Sequence, residues 1–269
     1  MDLNETLRRV YRCMRVGVPA LLIICSTVSL PHASANATMD QAEQADEHAV
    51  GKTIPSLKES ENKDMKRRVA IIIDDFGNGQ GGTEEMLAMP VKLTAAVMPF
   101  LPTSRKDAEA AHKKGFDVIV HMPMEPKQGN PKWLGPGAIT ANMSDAEVRK
   151  RVEDAIDQIP YAIGMNNHMG SKITGDERIM SIVLEVCRER GLFFVDSKTN
   201  YRSVVGKLAV KMGMPPVANH IFLDDQHTSS HISKQMQLVE AWANEHQNCI
   251  TIGHVGVQGK KTAEASRAA

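Results

Sequence analysis

The chain has 269 residues, 42% of them hydrophobic, which suffices for one sizeable α/β domain. Its 32 basic and 32 acidic residues cancel, so the overall charge makes no case for nucleic acid or an acidic polymer as partner. Aromatic residues are only 4%, little material for an open stacking platform.

Residues 1–35 stand apart. Arg8, Arg9, Arg12 and Arg15 precede an apolar stretch at 16–30, which has signal-peptide length and is short for spanning a bilayer. "ASA" at 33–35 supplies small residues at a cleavage position. The segment reads as an export signal cut near Ala35 or Ala37, with an uncleaved membrane anchor as the alternative. The expected destination is the periplasm or the exterior. Ile24 before Cys25 is too large for a good lipidation site. Residues 36–67 are polar and lack sustained periodicity, as in a flexible linker. The remaining 68–269 would be the functional domain. Its cysteines, Cys187 on a helix's apolar face and Cys249 opening a strand, are expected as buried free thiols rather than a disulfide.

From residue 69 aliphatic runs alternate with helix-period segments. Strands are predicted at 69–73, 93–97, 117–121, 162–166, 192–195, 220–223 and 249–252. Between them, Thr103 or Ser104 can cap one helix, and "SDAE" at 144–147 and "TGDE" at 174–177 have capping-box form. Pro160 ends the helix that begins after Ser144. Repeated strand–helix units argue for parallel strands with crossover helices, either closed as a barrel or left open.

The strand ends carry the chemistry. "IIIDDFG" places Asp74 and Asp75 at the tip of an apolar strand, where α/β folds put their sites. The plain alternative for one such Asp is a helix cap. The following tips bring His121 and Glu125, then Asn166, Asn167 and His168, then Asp196 and Lys198, then Asp224 and Asp225, and last His254. Parallel strands deliver all of these to one edge of the sheet. Asp75, His121 and His168 can provide a carboxylate and two imidazoles for a divalent metal, Zn²⁺ by that donor set. Such a metal acidifies water and polarises a carbonyl. Asp74 is then placed to take a proton and His254 to give one.

In order, "IIIDDFG", "HMPMEP", "NNHMGS", "FFVDSKT", "FLDD" and "IGH" resemble the motifs of the divergent polysaccharide deacetylases, relatives of the NodB-type carbohydrate esterases. The resemblance covers the chain from about 69 onward. It implies a distorted (β/α) barrel of about seven parallel strands and metal-dependent removal of acetyl groups from a polysaccharide. By position, Asp74 resembles the catalytic base, Asp75 the metal-binding Asp and His254 the general acid. His121 matches the first metal histidine, while Glu125 stands where a second is expected. "NNHMG" replaces an Arg-Pro motif, and His168 is expected to restore the third ligand. Asp196 resembles the carboxylate that orients the acid histidine, and Lys198 a group that holds a substrate oxygen. Relatives continue past "GKKTAEASRAA" into a last strand, so one barrel edge is expected to be unpaired. Two readings follow: a deacetylase acting on an envelope or extracellular glycan, and a non-catalytic glycan-binding or regulatory protein that keeps the fold.

Overall fold

Aliphatic runs too short and too continuous for amphipathic helices need cover on both faces, and here they form a parallel sheet wrapped by helices. The computed structural model describes residues 67–268. The expected leader and most of the linker lie outside the described residues. The strands are β1 Arg68–Phe76, β2 Thr94–Val97, β3 Asp117–Met124, β4 Ala162–Met169, β5 Phe193–Asp196, β6 Val217–Ala218, β7 Ile221–Phe222 and β8 Asn248–His254. The helices are α1 Thr83–Leu87, α2 Ser104–Lys113, α3 Asp145–Gln158, α4 Glu177–Glu189, α5 Val205–Lys211, α6 Ser229–His246 and α7 Gly259–Ala268.

All strand pairings are parallel, in the order β6-β5-β4-β3-β2-β1-β8-β7. The two outermost strands are one stretch of chain. Within 217–222 the first half pairs with β5 and the second half with β8. Asn219 donates its N–H to Asp196 and His220 donates its own to Ile250. This single kinked strand joins both ends of the sheet, giving a distorted barrel of seven strand positions. The expected unpaired edge is thereby corrected: among the described residues, 217–222 fills it.

Alternation sorts the side chains. Ile72, Ala96, Ile119, Phe193, Val195 and Ile252 point inward and plug the barrel. Gly164 is required here, since a Cβ would meet the Phe193 ring at 2.5 Å. The opposite faces, including Ile73, Val118, Val120 and Met165, pack under helix residues such as Val152, Ile179 and Val183. The inward rows continue upward into polar residues: Ile72 to Asp74, Ile119 to His121, Gly164 to Asn166 and His168, Ile252 to His254. The plug is thus the floor of the site.

Ser144 and Glu147 form the expected capping box of α3. For α4 the expectation is corrected. Asp176, not Thr174, accepts the N–H of Ile179, while Thr174 donates to the Gly170 carbonyl. Thr103 occupies the N-cap position of α2 as expected, but its hydroxyl donates to Asp107 and makes no capping hydrogen bond, while Ser104 donates to the Met98 carbonyl. Cys187 and Cys249 are buried and free, as expected.

Candidate functional site

A regular strand would point Asp74 and Asp75 to opposite faces. β1 avoids this with an irregular register between Ile73 and Phe76 and with φ 69° at Asp75. A left-handed turn of this kind costs about 1 kcal/mol for a non-glycine residue. It lets both carboxylates reach the barrel mouth. The glycines that follow serve the turn and a close backbone approach. Gly256 donates to the Gly81 carbonyl at 2.7 Å, and a Cβ on Gly82 would lie 2.5 Å from Gly259. They pack the loop after β1 against the loop after β8.

His121 and Asn166 are register partners on β3 and β4, and His168 lies two residues beyond Asn166 on the same face. Asn166 donates Nδ2–H to Asp74 Oδ1 at 2.9 Å, which turns its oxygen to His121 Nδ1 at 2.7 Å. His121 therefore donates from Nδ1, and its neutral ring carries the lone pair on Nε2. His168 Nε2 lies 2.9 Å from the Trp133 carbonyl, which can only accept. Its lone pair is therefore on Nδ1. Those two lone pairs and Asp75 Oδ1 face one another at 3.0, 3.1 and 3.3 Å. Asp75 Oδ1 is buried without a hydrogen bond. Three electron-rich atoms this close need a cation among them.

The triangle fits a metal. Ligand atoms bonded to zinc at about 2.0–2.1 Å stand roughly 3.3 Å apart in a tetrahedron. Asp75, His121 and His168 form the group among the described residues able to hold an ion. His121 is pushed upward in pKa: burial alone would lower it, but the Asp74 and Asp75 carboxylates outweigh burial. Burial works against the charge of Asp75 too, yet the two imidazoles hold its carboxyl well below the usual range. Asp74, more deeply buried, is raised despite His121 and His254.

On the other side of Asp74, its register partner His254 presents Nδ1 to Asp224 Oδ1 at 2.7 Å. Asp224 Oδ2 accepts from the His254 backbone N–H and from Thr262 Oγ1. Burial would lower the pKa of His254, but Asp224 and the carboxylates of Asp74 and Asp75 raise it to about 9. The ring is thus cationic at neutral pH.

The structure brings Asp74, Asp75, His121, Asn166, His168 and His254 together. Asp196 does not orient His254. Its Oδ1 accepts the Lys198 N–H and its Oδ2 lies 3.2 Å from Lys198 Nζ. Asp224 holds the orienting position, legible in advance only as the "FLDD" strand tip. Glu125 is turned away from the triangle, bound to Lys172 and to the Ala141 N–H. Asn167 ties the tips of β4 and β5, accepting the Ser197 N–H and donating to Met169 and Thr199. Nothing in the sequence marks Trp133 as a site residue, because it acts through its backbone carbonyl.

Residues 71–267 match the family model described as divergent polysaccharide deacetylase. The chain belongs to that family. The chain is similar to two curated proteins, an uncharacterized protein from Haemophilus influenzae, 36% identical over 187 residues, and the uncharacterized protein YibQ of Escherichia coli, 34% identical over 187 residues. The match covers 70% of this chain but 66% and 58% of those relatives. Among solved structures, an uncharacterized protein from Agrobacterium tumefaciens is similar in fold, with TM-score 0.70 at 20% identity, covering 75% of this chain and 83% of that one. For this deacetylase-family chain, the family match runs from within β1 into α7.

Proposed function

We propose that the protein is a metal-dependent hydrolase that removes acetyl groups from an envelope or extracellular polysaccharide, reached by export through the 1–35 segment. The observation that carries this reading is the lone-pair triangle of Asp75, His121 and His168, with the buried Asp74 beside it and His254 on the far side of Asp74. A divalent ion there, Zn²⁺ by its donors, supplies Lewis acidity toward the acetyl carbonyl and toward water. The chain's own groups do the rest. Asp74, with its raised pKa, accepts the proton of the attacking water and is kept in place by Asn166. His254 donates from Nε2 to the departing sugar nitrogen or oxygen, while Asp224 holds Nδ1 and stabilises the ring's charge. A pure binding module has no need of such a base–acid pair.

The test is metal stoichiometry together with acetate release from acetylated glycans. Wild type should bind one zinc per chain. Asp75→Ala should lose the metal. Asp75→Gly repeats this without strain, since glycine accepts φ 69° freely. Asp74→Asn should keep the metal and lose roughly 10²–10⁴-fold in rate. Full metal binding by both Asp75 variants sinks the ligand assignment. Metal-loaded wild type that releases no acetate from any acetylated glycan leaves the glycan-binding reading in its place.

A further inference from the structure

The zero net charge of the chain conceals a segregation at the barrel mouth. The loops that follow β1, β2 and β8 (77–82, 98–103 and 255–258) carry no charged residue. The loops after β3, β4 and β5 (125–137, 170–176 and 197–204) carry five basic residues and two acidic ones. Both acids are already engaged: Glu125 by Lys172, and Asp176 by the first turn of α4. Lys198 faces the buried Asp196. Lys127, Lys132 and Arg202 have no carboxylate partner among the described residues. Lys127 Nζ lies 3.5 Å from the Asn200 amide oxygen.

The same loops hold two large aromatic rings in water. Trp133 is 67% exposed and Tyr201 89% exposed, with Arg202 5.5 Å from the Tyr201 ring centre. Leaving such surface uncovered forgoes considerable burial. These loops are not independent of the site or of each other. The Trp133 carbonyl holds His168, the Lys127 N–H bonds Ser171, and Lys127 Nζ touches the 197–204 loop. A ligand lying on Trp133 is one residue removed from a side chain of the triangle.

Flat apolar rings stack on the CH-bearing faces of pyranoses, and unpaired cations beside them suit carboxylate or phosphate substituents. We infer that the glycan is anionic, running over the β3–β5 side of the mouth across Trp133 and Tyr201 with its acidic groups on Lys127, Lys132 and Arg202. This rests on the hydrolase reading for the acetyl group but adds the charge class of the polymer. It reverses what the overall charge suggests, because a sum over the chain does not register where the charges stand.

The experiment measures binding to the zinc-loaded Asp74→Asn protein, so that turnover does not intervene. The probes are O-acetylated oligomannuronate (carboxylate), an O-acetylated glycerol-phosphate polymer (phosphate) and neutral N-acetyl chito-oligosaccharide. At least one anionic probe should bind about tenfold more tightly than the neutral one at low salt, with the advantage fading as salt is raised. The better of the two identifies the acidic group. A triple variant, Lys127→Glu with Lys132→Glu and Arg202→Glu, should erase that advantage and leave the neutral probe unchanged. Trp133→Ala and Tyr201→Ala should each weaken every probe several-fold. Equal affinity for charged and neutral probes, indifference to salt, or an unaltered preference in the triple variant overturns the inference. Acetate release by wild type separates the two claims. Anionic binding without acetate removes only the hydrolase reading, and hydrolysis of the neutral probe without charge preference removes only this one.

Discussion

His121 and His254 are both fixed through Nδ1 at 2.7 Å, the first by the amide oxygen of Asn166 and the second by the carboxylate of Asp224. The geometry is the same and the charge behind the ring is not. A neutral amide orients the imidazole and adds less to its affinity for a proton than the nearby carboxylates do, so Nε2 of His121 remains a position that a metal can claim. A carboxylate stabilises the imidazolium, so His254 keeps its proton to about pH 9. His121 is also drawn toward the charged form, but by Asp74 and Asp75, the second of which shares the triangle with it. One atom exchanged behind a ring separates a ligand from an acid.

Exchanging that atom at His254 should have the largest effect. Asp224→Asn keeps the shape and removes the charge. The activity proposed here should fall roughly 10²–10⁴-fold, with metal content unchanged. The His254 titration, followed by imidazole proton resonances, should move from about 9 toward the ordinary value near 6.5. A His254 that still titrates near 9 in that variant would show that Asp74 and Asp75 set its charge.

A smaller effect comes from the other partner. Asn166→Ala frees the His121 ring and leaves Asp74 Oδ1 without its donor. Zinc affinity should weaken about 10–100-fold, measured against a chelator of known strength. Unchanged affinity would mean that strand packing alone orients His121.

Smaller again is the pH dependence of stability in the metal-free protein. His254 has a folded pKa above its unfolded one, so its contribution is fully present below about pH 6.5 and is lost as pH rises through about 9. Melting temperature should drop by roughly 5 °C between those limits, and Asp224→Asn should flatten the curve. A wild-type curve already flat over that range would contradict the shift. The least effect serves as a control on both variants. Burial pushes the Cys187 thiol up to about 12, so thiol reagents should label it no more than about twofold faster in any correctly folded variant.

Much of this site is legible in the sequence because parallel strands impose a common direction. Once the apolar runs at 69–73, 117–121 and 162–166 are strands, Asp74, His121 and His168 must reach one edge. Three things are hidden. The pairing of Asp224 with His254 depends on the 217–222 strand lying beside β8, which no local pattern in "HIFLDD" announces. The role of Trp133 belongs to a carbonyl that every residue type possesses. The capping of α4 by Asp176 rather than Thr174 turns on a short 3₁₀ turn at Ile173–Gly175 that occupies Thr174 elsewhere.

The kinked strand at 217–222 has a consequence for how the protein would lose function. It meets each neighbour over only two register pairs, against seven between β1 and β8. It is the weakest joint in the ring, and Asp224 lies just beyond it. Asp75, His121 and His168 belong to β1, β3 and β4, which are bound over longer stretches. Sub-global opening at the joint would take Asp224 away from His254 while the triangle keeps its shape. Heated gently, the zinc-loaded protein should lose the proposed acetate release before it loses bound metal. Amide exchange at 217–222 that is faster than in β3 or β4, and a thermal inactivation midpoint below that for metal loss, would mark this joint as the place where the barrel breathes.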